Sequence, residues 1–121
     1  IGSFGASAVL IYGAPKSPLA QPRNFVGGHL VSATVGCIVR VAIAGYVPQI
    51  AAAVAVATAI VCMQATQTVH PPGGATALIA VVSPPLPWAG FLYILMPVFS
   101  GCVVMLVVAL VVNNLAEKRT Y

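Results

Sequence analysis

Charge is what this chain has least of. Only 5% of its 121 residues are Asp, Glu, Lys or Arg, where soluble domains run near ~25%. Acid is scarcer still: Glu117 is the single carboxylate side chain, and no charged residue of either sign lies between Val41 and Ala116. A water-facing fold of this length has to cover its outside with charge, so a soluble globule is excluded. A helix facing lipid tails has no such need. Basic residues are five, Lys16, Arg23, Arg40, Lys118 and Arg119. They form no aromatic-studded basic face, which argues against nucleic acid and suits topology signals. Cysteine is limited to Cys37, Cys62 and Cys102, an odd number inside apolar runs and without ligand spacing. That pattern excludes a disulfide framework and leaves no metal site, since two distant histidines are too few ligands. One Glu and two His assemble no nucleophile–base pair or two-carboxylate centre, so neither an enzyme nor a cofactor is expected. Signal and transit features are missing as well. Ile1 reads as the interior of a fold, and the expectation is one transmembrane domain over residues 1–121 that lacks an N-terminal membrane segment.

What is present is apolar length: 60% of the residues are hydrophobic. Three stretches reach the ~20 residues that a bilayer crossing needs, about Phe25–Val47, Ile50–Val69 and Trp88–Val112. Trp88 and Tyr93 open the third, where interfacial aromatics belong, and Pro97 should kink it. Two shorter apolar pieces, Gly2–Ala14 and Gly73–Ser83, are too short to span. They match at an offset of 69 positions: Gly5-Ala6-Ser7-Ala8-Val9-Leu10 against Gly74-Ala75-Thr76-Ala77-Leu78-Ile79, continuing through Pro15/Pro84 and Pro18/Pro87. Paired short, Gly- and Pro-interrupted segments in two halves point to a transporter's central site. The turn with Lys16 and Arg23 and the tail with Lys118 and Arg119 fall inside by the positive-inside rule, and the uncharged Pro84–Pro87 turn falls outside. The fold expected is therefore all-α transmembrane, a small multi-helix bundle with two short half-helices in an inverted repeat. Small residues every four positions (Gly28, Ser32, Gly36; Ala51, Ala55, Ala59) mark close helix packing.

The stretch richest in chemistry is Thr68-Val69-His70-Pro71-Pro72-Gly73-Gly74-Ala75-Thr76. Two prolines cannot continue a helix, so the backbone is expected to open at His70 and Pro71 and a new helix to start at Pro72. A helix starting inside the membrane aims unpaired N–H groups and its positive dipole end at whatever it faces, a natural anion site. Gly73, Gly74 and Gly5 would supply that backbone, Thr76 and Ser7 hydroxyls, and His70 and His29 switchable charge. A plainer alternative stands beside this one: each histidine donates to a carbonyl and locks a packing interface. Arg40 either snorkels to the interface or contacts an anion.

These motifs, with Gly2-Ser3-Phe4-Gly5-Ala6-Ser7-Ala8, Ser17-Pro18-Leu19-Ala20-Gln21-Pro22-Arg23-Asn24, Gly27-Gly28-His29 and Asn113-Asn114-Leu115, closely resemble the HPP family of integral membrane proteins, named for His70-Pro71-Pro72. The resemblance covers nearly the whole chain. It implies a small helical membrane protein of a plastid envelope or thylakoid, or of a bacterial inner membrane. It also implies transport of a small inorganic anion, nitrite above all. The half-helix reading makes His70, Gly73, Gly74, Thr76, Gly5, Ser7 and His29 the expected substrate-binding positions. The expected partners are the lipid bilayer, the anion, and a homo-oligomer or larger membrane complex. A structural subunit of such a complex is the alternative function. A polar-lined cavity at the half-helix ends would favour transport, and side chains or lipid filling that space would favour the subunit.

Overall fold

The computed structural model of the chain describes residues 1–83 and 90–115. They form five helices: α1 (Gly2–Gly13), α2 (Pro22–Ala44), α3 (Pro48–Ala65), α4 (Pro72–Val82) and α5 (Ile94–Asn114). Three of them, α2, α3 and α5, are long and apolar enough to cross a membrane. Large apolar side chains stand on the outside of the bundle, Val9, Val41, Val104 and Leu95 among them. Lipid tails accept such a surface where water would not. The expected all-α transmembrane bundle is what the chain forms.

Proline marks the helix starts. Pro22, Pro48 and Pro72 each occupy the first helical turn, where a missing N–H breaks no bond. Met96 leaves helical dihedrals (φ −134, ψ 120) directly before Pro97, so α5 bends where a proline disfavours the α conformation in its predecessor. The Trp88 start of the third span, the Pro84–Pro87 turn and the Glu117–Arg119 tail lie outside the described residues.

One boundary differs from expectation. α3 ends at Ala65, not Val69, and the backbone turns at Gln67 (φ 55), ahead of His70 and Pro71. The cause is a Schellman cap: Thr68 N–H reaches Met63 C=O and Gln67 N–H reaches Gln64 C=O. Glycine usually fills that left-handed position, and Gln67 fills it here.

α2, α3 and α4 interlock. A Cβ on Gly36 would lie 2.7 Å from the Ala77 carbonyl oxygen, and one on Gly28 2.6 Å from His70 Cβ; only glycine lets these backbones meet. Ala51, Ala55 and Ala59 are fully buried on the α3 side of this core, with Ala77 and Val81. A second core joins α1, α2 and α5 around Phe25, Ile11, Val98 and Cys102. A short helix followed by a long one occurs twice, as α1–α2 and α4–α5. Ser3 touches Thr76 while Ser7 touches His70, so the two short helices run side by side in opposite directions. Asn113 Nδ2 donates to Ile11 C=O, which places the last turn of α5 beside the last turn of α1.

Candidate functional site

The site is built on the break between α3 and α4. Arg23 donates to Thr66 C=O and Asn24 to Val69 C=O, so the first turn of α2 holds the break. The loop above it is held by Gln21, whose Nε2 donates to the carbonyls of Pro15 and Ser17, and by Ser17 Oγ, which accepts from Leu19 N–H. That arrangement points the Leu19 carbonyl down at His70, whose Nδ1 donates to it at 2.8 Å.

From His70 an unbroken chain of short contacts runs through the interior. His70 Nε2 lies 2.8 Å from Ser7 Oγ, and Ser7 Oγ lies 2.7 Å from His29 Nε2. His29 Nδ1 lies 2.7 Å from Thr76 Oγ1, and Thr76 Oγ1 donates to Ser3 Oγ at 2.8 Å. Ser3, Ser7, His29, His70 and Thr76 are all buried, at most 1% exposed. Buried polar groups need partners, and every ring nitrogen here has one. The offset that relates the two short helices pairs Ser7 with Thr76, and these two hydroxyls converge on the two nitrogens of His29. Phe25 packs edge-on against both imidazoles at 5.3 Å between centroids, Phe4 against His29 at 5.2 Å, and the imidazoles are 5.0 Å apart.

Four of the seven expected positions, His29, His70, Ser7 and Thr76, therefore meet. The three glycines do not join them. Gly73 packs against α2, with Ser32 Oγ and the Gly28 carbonyl where its Cβ would be. Gly73 N–H and Gly74 N–H donate to the carbonyls of His70 and Pro71, so these two donors of the α4 terminus are already used within its own turn. Gly5 is exposed on the far side of α1, and a methyl added there would meet nothing within 4 Å. Arg40 lies away from the site and donates to Ala80 C=O near the end of α4, a favourable place for a cation at a helix C-terminus. Sequence reasoning missed Ser3 and the Leu19 carbonyl. The i, i+4 spacing of Ser3 and Ser7 puts both hydroxyls on one helix face and could have revealed the former.

Beside the network, an open groove of about 660 Å³ runs between α1 and the start of α4. Ala6, Val9, Leu10, Gly13, Pro71, Pro72 and Ala75 line it, all apolar. The network side chains themselves are buried beside the start of α4.

Helices of spanning length around a buried polar centre define an integral membrane protein. The chain belongs to the HPP transmembrane family, whose model matches residues 1–121. It is 61% identical over 123 residues to one transmembrane protein of Dictyostelium discoideum and 54% identical over 125 residues to another. All of this chain is covered in both, but only 40% and 43% of those relatives, so the chain spans about two-fifths of their length. No solved structure matches it.

Proposed function

We propose that this chain is the core of a small-anion transporter, with nitrite or an anion of its size as substrate and the bilayer as its setting. The observation that carries the proposal is the buried meeting of Ser7 and Thr76 on His29, with His70 attached through Ser7. No carboxylate side chain occurs anywhere in residues 1–115. Protonating an imidazole in such an interior creates a cation without an acidic counter-ion, and an uncompensated buried charge is expensive. A monovalent anion entering with the proton removes that cost. Uptake of proton and anion together is thus favoured over uptake of either, and cations are excluded. The same inventory supports transport over catalysis. The bound anion would lie among His29, His70, Ser7 and Thr76 once α1 and α4 part. Gly5, Gly73 and Gly74 serve packing in the closed state, and a role for their backbone belongs to an open one. The membrane proposed is one with a proton gradient, as in the bacterial inner membrane or plastid of the family resemblance. A homo-oligomer or larger membrane complex is its proposed assembly, with no nucleic acid partner.

One observation favours the other reading, a structural subunit of a membrane complex: the groove at the start of α4 is lined by apolar side chains. Flux measurements separate the two. Full-length protein in proteoliposomes should take up nitrite in preference to chloride, faster with an inward proton gradient. His70→Gln keeps a donor for Leu19 and an acceptor for Ser7 but cannot hold a charge. It should remove the acid-stimulated component while the protein still inserts. Absence of anion flux in the wild-type protein at any gradient would leave the subunit reading standing.

A further inference from the structure

Both short helices end in the same way, and each end leaves one backbone carbonyl without a donor. The last N–H of α1, on Ala14, bonds to Leu10 C=O at 2.9 Å, and the last of α4, on Ser83, bonds to Ile79 C=O at 3.0 Å. The next residue is a proline in each case, Pro15 and Pro84, with no N–H to give. The carbonyls of Ile11 and Ala80 are therefore left over, at matching positions of the two helices. Both residues are buried, at 0% and 3% exposure, and hydrocarbon offers no water to serve them. Each is served instead by a side chain from the opposite half. Asn113 on α5 donates from Nδ2 to Ile11 C=O at 2.9 Å, and Arg40 on α2 donates from Nη1 to Ala80 C=O at 2.8 Å. Neither direction is open to choice, because a carbonyl only accepts.

We propose that these two bonds are crossed clamps on the α1–α4 pair, undone one at a time when the pair parts, the Asn113 clamp first. The helix that follows α1 holds the end of α4, and the helix that follows α4 holds the end of α1. Because α1 and α4 run in opposite directions, the clamps sit at opposite ends of the pair, with the buried network between them.

The clamps are unequal. Arg40 brings a full positive charge to a helix C-terminus, where the dipole favours it and a charged donor strengthens the bond. Asn113 brings a neutral amide, and its own Oδ1 is buried with no partner among the described residues. An unpaired buried acceptor raises the energy of the closed state, a cost that opening relieves. The packing agrees: α4 is wedged against α2 at Gly36, while α1 borders the open groove. Under the transport reading, the network is then reached first from the end of the pair beside the Lys16 loop. That consequence rests on the anion proposal; the clamps do not.

Backbone hydrogen exchange tests the clamps without any flux, read by mass spectrometry helix by helix on the full-length protein in nanodiscs. Arg40→Met should raise exchange in the last turn of α4 by about tenfold and leave α1 as it was. Asn113→Leu removes the unpaired oxygen together with the donor. It should raise exchange in the last turn of α1 by only about threefold and leave α4 unchanged. Arg40→Lys keeps a charged donor and should retain most of the protection of α4. The wild-type protein gives a reading that needs no variant: on warming, the last turn of α1 should open before that of α4. Faster exchange in both short helices together, in the mutated long helix alone, or in neither would overturn the clamps. Opening of α4 before α1 in the wild-type protein would overturn their order.

Discussion

The two short helices have matching sequences and unlike surroundings. α4 is wedged between α2 and α3: Gly28 and Gly36 admit its backbone, Gly73 sits against Ser32, and Ala77 is fully buried. α1 touches α4 and α5 along one side, leaves Gly5 open on the other, and lines an open groove with Val9 and Gly13. A shared pattern of small residues therefore has two physical meanings. On α4 it is close packing, where van der Waals contact and backbone approach hold helices that no hydrophobic effect drives together. On α1 it is an uncovered face. Only the inner positions, Ser7 and Thr76, play the same part in both.

The comparison breaks most visibly at the glycines facing α4. Gly28→Ala and Gly36→Ala put a methyl where backbone atoms of the α3–α4 break and of α4 already lie, and each should destabilise by about 2–3 kcal/mol. Thermal unfolding of the full-length protein in detergent measures it; unchanged midpoints would mean that α2 and α4 are not interlocked. A smaller loss, about 1–2 kcal/mol, is expected for Arg40→Met, which leaves the Ala80 carbonyl without its donor. The smallest effect belongs to α1. Gly5→Ala meets open space and improves helix propensity, so stability should hold or rise by up to about 1 kcal/mol. A clear loss there would show that another helix covers α1 in the full-length protein, and the contrast between the two short helices would then vanish.

Much of this contrast was legible beforehand, and the illegible parts have physical reasons. The lack of charge over residues 41–116 revealed the membrane bundle, because lipid imposes one requirement on every outward position. The offset between Ser7 and Thr76 was readable too, and it anticipated the two hydroxyls that meet on His29. The end of α3 was misplaced because a Schellman cap normally announces itself with glycine, and Gln67 occupies the left-handed position instead. The α4 terminus was expected to offer free N–H donors at Gly73 and Gly74. Those donors fold back on His70 and Pro71 carbonyls, a closure that depends on how tightly the turn winds and that composition does not encode. The Leu19 carbonyl was invisible for a similar reason. A backbone acceptor carries no residue signature, and only the bonds of Gln21 and Ser17 aim it.

The placement of Ser7 has a mechanical consequence. Its single oxygen is the point where α1 is fastened to both imidazoles, one carried by α2 and the other by the α3–α4 break. One turn of helical rise is about 5.4 Å, and a slide of α1 by that much carries a 2.8 Å contact far beyond hydrogen-bonding range. Ser7 therefore holds α1 in one register against its neighbours. Its grip on the interlocked trio is made or lost in a single click, like the bolt of a latch, and both histidines are released in the same movement.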